Sequence, residues 1–348
     1  MKRGYTIMKY ISFVVPSYNS EKYLNKCVDS LLYGDEDVEI IIVNDGSKDR
    51  TLEIALDYQT KYPNIVKVID KENGGHGSGL NAGIMNATGL YFKCVDSDDW
   101  VDKSAYKEVL DVIKKNHEEN KDPDLYLTNY VFERLDCNKQ FVHKNTDAFK
   151  PNQILHWNDV KGLKIAEYVV MHSMIYKLDV LKQSKVKLPE HTFYVDNIFT
   201  YVPLKYVKTL YYIDSDFYRY YVGREGQSVT YENMTKNYNM QIKVMKELSL
   251  AYTYNEIKAL PRGQRKFMMH DLIIKSYLTL FYVMAGYDKT RKEAYNAYFK
   301  EFKEKNKSLY YKLKYRTYLL FPFTLIMPLR RYVVMLGYKK VVKKTNWQ

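Results

Sequence analysis

Residues 38–45 read VEIIIVND and run straight into Gly46-Ser47. Four β-branched apolar residues in a row, Ile40 to Val43, closed by an Asn-Asp-Gly turn, form the pattern of a strand buried on both faces. Three further short apolar runs repeat it: YISFVVP (10–16), IVKVID (65–70) and LYFKCVD (90–96). Between them the apolar spacing turns helical. Leu24, Cys27, Val28, Leu31 and Leu32 follow Ser20, a candidate N-cap; Thr51–Tyr62 and the stretch around Ala82–Ala87 complete the set. Strand and helix in alternation predict an α/β fold with a mainly parallel central sheet. Ligands of such sheets bind outside the carboxyl ends of the strands. The loops there are Pro16–Asn19, Asn44–Ser47, Glu72–Ser78 and Asp96–Trp100, and they are expected to carry the active site.

Beyond residue 101 the alternation weakens. The spacing predicts a helix over 103–116, a strand over 124–133, a hairpin-like stretch to about 150 and helix over 161–183. A loop, LPEHTFYVDN, precedes a helical segment from Ile198, and 211–222 reads as one strand. From about 232 the pattern is helical over 236–256, 262–285 and 288–305.

Composition narrows the function classes. A chain of 348 residues, 46% hydrophobic and 27% charged, is globular rather than disordered. Its 36 tyrosines are the one outlier. Cys27, Cys94 and Cys137 form no CxxC pair, which argues against a structural zinc or disulfide framework and for a reduced, cytoplasmic setting. No apolar run suits a signal peptide or a membrane span. Residues 301–348 hold 12 Lys or Arg against two acids, so most of the +13 net charge sits there. Basic residues flanking the apolar segment TYLLFPFTLIMPL (317–329) predict peripheral association with an anionic membrane, at the inner face of the cell membrane. No recognition motif accompanies this charge, and nucleic acid is not expected as a partner.

Three loops carry chemistry. Asp96-Ser97-Asp98-Asp99 follows an apolar strand, and carboxylates so placed can converge on Mg²⁺ or Mn²⁺; an Asp-rich turn also serves to cap the next helix. Asp45 is a carboxylate at the sheet crevice, or a cap. Glu72–Gly79 holds four glycines, whose amides can approach phosphate. Neither GxGxxG in the first loop nor GxxxxGK[ST] occurs.

Taken in order, PSYN, VNDGS, ENGG…NAG and VDSDDW resemble the family-2 glycosyltransferases of GT-A fold over residues 10 to about 230. The resemblance implies that Pro16, Tyr18, Asn19 and Glu21 pack on a nucleotide and that Asp45 reads its base. It further implies that Asn81 and Gly83 close over it and that Asp96, with Ser97 beside it, lies at the ribose; Gly75 belongs to the glycine loop that can approach phosphate, and His76 is a candidate donor in place of the Arg missing at Leu80. Asp98 would then ligate the metal, and Asp196 would be the base of an inverting transfer. Arg224, Gln227 and Ser228 would form a flap on the diphosphate, and His172 is a candidate on the acceptor side. Two positions depart from the family pattern: Leu80 stands where an Arg is usual, and Val195 where a Glu precedes the base.

The expected protein is thus a metal-dependent inverting transferase. It would move a sugar from a UDP-sugar to a lipid-linked or polymeric cell-surface glycan, with Mn²⁺ or Mg²⁺ as cofactor. A dTDP-sugar (rhamnosyl) transferase and a catalytically silent nucleotide-sugar-binding scaffold in a glycan-assembly complex remain alternatives. The expected organisation is a transferase domain over 1–232, divided into a nucleotide-sugar half (8–102) and an acceptor half (103–232). A helical region (233–305) and a membrane-associating tail (306–348) follow. Oligomeric state stays open, a homo-oligomer included.

Overall fold

The structure is a computed structural model, and it describes residues 8–145, 147–164, 167–223, 231–285 and 288–320. The N-terminal half follows the expected alternation: β1 (Ile11–Ser17), α1 (Leu24–Leu31), β2 (Val38–Asp45), α2 (Thr51–Lys61), β3 (Val66–Lys71), α3 (His76–Asn86), β4 (Tyr91–Cys94), β5 (Trp100–Val101) and α4 (Lys103–Glu118). Next come β6 (Leu125–Leu127), β7 (Tyr130–Arg134), β8 (Lys139–His143), β9 (Ile154–His156), β10 (Met174–Lys177), α5 (Leu178–Ser184), α6 (Asp196–Tyr201), β11 (Thr209–Tyr212) and β12 (Tyr218–Tyr221). The described elements after β12 are helices: α7 (Tyr231–Lys236), α8 (Tyr238–Ala251), α9 (Tyr254–Ala259), α10 (Arg262–Ala285), α11 (Lys289–Lys305) and α12 (Lys307–Leu320).

The central sheet has eight strands in the order β3-β2-β1-β4-β10-β6-β11-β9, and a second sheet has four in the order β5-β12-β7-β8. The first four strands are parallel; β10 enters antiparallel between β4 and β6. Every residue of β1 is buried, because both faces are covered. Phe13, Val15, Ile40 and Ile42 point into one core with Leu24, Val28, Tyr106 and Val109 from the helices. Val14 points the other way, onto α3, where a Cβ on Gly83 would overlap the Val14 side chain. Glycine is required there for the helix to seat on the sheet.

Several expectations are corrected. Ser20 is not a helix cap: α1 starts at Leu24, and the Ser20 hydroxyl bonds Ser97 Oγ at 2.6 Å. The strands expected over 124–133 and 211–222 each divide in two. Both chains leave the central sheet at the same level, where buried Asn129 Nδ2 donates to Asp214 Oδ1 at 2.7 Å and to Asp216 Oδ1 at 2.9 Å. As a result β6 pairs with β11 in the first sheet, and β7 with β12 in the second. Residues 161–183 are not one helix; among the described residues the span holds a 3₁₀ turn at Met171–Ser173, then β10, and α-helix only from Leu178. A short, fully buried apolar run such as Met174–Tyr176 looks alike in either state. The helix expected over 236–256 breaks at Tyr252, where Thr253 caps α9 through a capping box with Glu256.

The chain forms two compact units that do not follow chain order. One comprises the residues up to Val160 with Val169–Thr192 and Tyr206–Tyr221; the other comprises Lys161–Tyr168, Phe193–Lys205 and the residues from Val222 onward. The first holds both sheets. The second packs α6 with the C-terminal helices around Val244, Met245, Leu248, Met268, Leu272, Leu309 and Leu313. This partition differs from the expected boundary at 232.

Candidate active site

The loops after β1 and β2 are zipped together by their own polar groups. Asn19, at φ 50°, donates its amide to Ser47 Oγ at 3.0 Å and accepts from Lys48 N at 2.8 Å. The Glu21 amide reaches Asp49 Oδ2 at 3.1 Å, and Glu21 Oε2 accepts from Arg50 N at 3.1 Å. Pro16 is buried at the end of β1, packed where α3 passes at Gly79. Tyr18, by contrast, exposes half of its surface.

Asp45 is buried, and its carboxylate organises the third loop. Oδ1 accepts from Gly74 N at 2.9 Å and Lys71 Nζ at 2.8 Å, while Oδ2 accepts from Gly75 N at 2.7 Å. Gly75, at φ 81°, is the residue before α3, so half of the expected glycine loop is helix. Of the expected nucleotide-closing residues, Asn81 is engaged with the segment 188–191. Asn81 clamps the Leu188 backbone, donating to its carbonyl at 2.8 Å and accepting from its amide at 2.9 Å. Ser78 Oγ donates to Glu190 Oε1 at 3.1 Å, and the His191 amide to the Gly74 carbonyl at 2.6 Å. Nothing in the sequence singles out this 188–191 segment beyond its loop character. Gly83 faces Val14 and serves packing.

The acidic turn after β4 is built around Asp96, Asp99 and Tyr218. Asp96 Oδ1 lies 2.9 Å from His76 Nε2. The Tyr218 hydroxyl accepts from the Asp96 amide at 3.1 Å and donates to Asp99 Oδ2 at 2.6 Å; Asp99 Oδ1 accepts from Tyr221 N at 2.8 Å. Burial, with the charges of Asp98 and Asp96 beside it, pushes the Asp99 carboxyl well above the usual range. None of these acids caps α4: Asp102 does, accepting from the amides of Ser104 and Ala105. Asp98 is half-buried on the same turn, and Ser97 is tied to Ser20.

Beneath the turn lies Lys93, fully buried, donating to the carbonyls of Met171, His172 and Met174. Burial lowers its ammonium to about 7. It holds His172 against the rings of Tyr218 and Tyr220, with centroids at 4.6 and 4.5 Å. Burial drops the His172 imidazole to about 4, and its Nδ1 is buried without a hydrogen-bond partner. This packing is not that of a ring presented to an acceptor. Instead, single donor atoms of Asp96, Asp99 and His172, and of His76, Cys94 and Asp96, gather within 4.8 Å of one another. Asp96 belongs to both groups; Asp98, the expected ligand, belongs to neither. Lys93 and Tyr218 were not singled out from sequence. They lack a motif signature, and only the fold joins them to Asp99 of the acidic turn.

Asp196 lies in the second unit as the first residue of α6. Val195, at the N-cap position, is buried, and no side chain caps the helix, so Asp196 does not serve as its cap. Asn197 Nδ2 donates to the Tyr194 carbonyl at 3.0 Å and bends the entry. The Tyr168 phenol is raised to about 12 by burial and then by the charges of Asp196 and Asp271. Arg224, Gln227 and Ser228 lie outside the described residues.

The family model described as Glycosyl transferase family 2 matches residues 12–161. A relative from Bacillus subtilis, the uncharacterized glycosyltransferase EpsJ, is 42% identical over 107 residues, covering 30% of this chain and 31% of that protein. The poly(ribitol-phosphate) beta-glucosyltransferase of Bacillus spizizenii is 34% identical over 227 residues, covering 63% of this chain and 33% of that protein. The chain therefore spans about a third of the length of these two curated relatives. The solved structure of S. aureus TarS 1–349 in complex with UDP-GlcNAc superimposes with a TM-score of 0.64, at 19% identity, over 94% of this chain and 92% of that one. With the matching motifs on the loops at the carboxyl ends of β1 to β4, residues 12–161 carry a family-2 glycosyltransferase domain, and the chain has a GT-A-type fold.

Proposed function

We propose that this chain transfers a sugar from a UDP-sugar to a hydroxyl of a cell-surface glycan, with inversion and with a divalent cation. The observation that carries the reading is the acidic turn of Asp96, Asp98 and Asp99 at the carboxyl end of β4, braced by His76 and Tyr218. Its donor set fits such a cation: Asp96, Asp99 and His172 bring one donor atom each within 4.8 Å of one another, and the His172 ring, kept neutral, has a buried nitrogen without a partner. When bound there, Mg²⁺ or Mn²⁺ offsets charge on the departing diphosphate.

The chain's own residues do the rest. Asp45 sets the amides of Gly74 and Gly75 at the crevice, and Asp96 contacts the ribose in this reading. Asp196 accepts the proton of the acceptor hydroxyl as that oxygen bonds to the anomeric carbon. The names of two similar proteins, one a poly(ribitol-phosphate) glucosyltransferase and one solved with UDP-GlcNAc, support a UDP-hexose donor and a polyol-phosphate type of acceptor. The tail adds reversible attachment to an anionic membrane, where a lipid-linked acceptor is concentrated.

Thermal shift against UDP-, dTDP-, GDP- and CDP-sugars, with and without Mn²⁺, tests the donor. A ligand at 100 times its Kd adds about 2.7 kcal/mol of apparent stability. A shift confined to UDP-sugars with Mn²⁺ is expected; a shift with a dTDP-sugar alone favours the rhamnosyl reading. A second reading, the silent binder, draws on Leu80, which is fully buried and offers no cation where the family usually has one. Binding of every donor without turnover would decide for it.

A further inference from the structure

Lys275 lies one turn beyond Asp271 on α10, and both side chains are buried, at 1% and 3% exposure. Lys275 Nζ donates to Asp271 Oδ2 at 2.6 Å, to Thr200 Oγ1 at 2.9 Å and to the Asn197 carbonyl at 3.1 Å. An ammonium has three protons, and all three have acceptors. Two of the acceptors are on α6, and Asn197 directly follows Asp196. Two turns further along α10, the Tyr282 ring meets that of Tyr194 edge-on, with centroids 4.9 Å apart. Tyr194 precedes Asp196 by two residues and holds φ at +64°, a conformation a bulky residue keeps only where its surroundings impose it. The segment bearing Asp196 is thus gripped on both sides by one stretch of α10.

A buried ion pair is a poor device for stability, since apolar residues of similar volume often replace one at no loss. What it supplies is direction: fixed acceptors that hold the first turn of α6 in one place. We propose that the Asp271–Lys275 pair is a positioning element for Asp196, through which the C-terminal helices take part in the reaction. The inference rests on the reading of Asp196 as the base. Neither member of the pair touches substrate; both act through α6.

The test is the charge-free variant Asp271→Leu/Lys275→Met, made in the full chain with Asp196 and again with Asp196→Asn. Release of UDP with Mn²⁺ and water as acceptor is followed, using whichever of UDP-glucose, UDP-galactose and UDP-GlcNAc is hydrolysed fastest. With Asp196 present, kcat should fall about 10-fold or more while the donor KM stays within about twofold and the melt remains cooperative. In the Asp196→Asn background the same pair should change kcat by less than about twofold. α6 amides should also lose hydrogen-exchange protection selectively. An equal loss in both backgrounds, no loss at all, or unchanged α6 protection overturns the inference. Wild-type kcat in Asp196→Asn alone removes the base reading itself and the inference with it. Should the double variant fail to fold, Thr200→Val, which deletes one acceptor at constant shape, must show the same background dependence with a loss of about threefold.

Discussion

The Tyr218 hydroxyl joins Asp99 to the backbone of Asp96, donating to Asp99 Oδ2 at 2.6 Å and accepting from the Asp96 amide at 3.1 Å. One phenol on β12 thereby holds the shape of the acidic turn after β4. Tyr218→Phe leaves a buried carboxylate oxygen and a partly buried amide without that partner, at a cost of about 1–3 kcal/mol. Urea unfolding should report this destabilisation, and thermal shift should report weaker Mn²⁺-dependent binding of UDP-sugar. Unchanged values in both would show that the hydroxyl does not brace the turn.

Asp98→Ala should remove metal-dependent binding of the donor while changing stability by no more than about 1 kcal/mol, as is usual for a partly exposed carboxylate. Titration with UDP-sugar with and without Mn²⁺ decides it. Full Mn²⁺ dependence in this variant, with loss in Asp96→Ala, moves the ligand to Asp96, which both donor clusters share.

Asp196→Asn should leave UDP-sugar affinity intact and lower turnover by about 10² or more, the low end for a lost general base. Because Asp196 does not cap α6, no compensating structural defect is expected. Isothermal titration beside a product-release assay separates the two quantities.

Glu256 provides a pH test at the start of α9. Lys205 and the capping contacts of Thr253 lower its carboxyl from 4.5 to about 2. A depressed carboxyl contributes stability that is present above its unfolded value and is lost as pH falls from about 4.5 toward 2. Glu256→Gln should therefore flatten the acid limb of a Tm–pH curve in that window and leave the curve near pH 7 almost parallel to that of the parent. An unaltered acid limb would remove the charge from the cap.

α12 constrains the membrane experiment. Leu309 and Leu313 are buried with the other C-terminal helices, so a chain ending near 305 would lose core. A chain ending at Leu320 retains α12 and still lacks most of the 317–329 apolar segment and the distal lysines. Full-length protein should pellet with anionic liposomes and be released by salt; the shorter chain should stay in the supernatant. Equal pelleting of the two forms would place membrane affinity outside the tail. No helix among the described residues is long and apolar enough to cross a membrane.

What the sequence determined by itself is the local grammar: the strands β1 to β4, the helices between them, and the four loops at the strand ends, in order; β3, expected to be buried like the others, is a half-exposed edge strand. These depend on runs of β-branched residues and on 3.6-residue spacing, which a chain displays within about ten neighbours. The resemblance to a transferase family rests on those same loops. What only the tertiary structure decided depends on partners far apart in the chain. Asn129 and the Asp214–Asp216 turn, some 85 residues apart, divide two expected strands between two sheets. Lys93 ties residues 171–174, a single 3₁₀ turn that runs into β10, to β4, because a buried ammonium must find acceptors. Asp45, read from sequence as a base-reading acid or a cap, spends its carboxylate on the glycine amides and Lys71. Local pattern carries no record of such pairings, since the free energy of satisfying a buried polar group is indifferent to sequence separation.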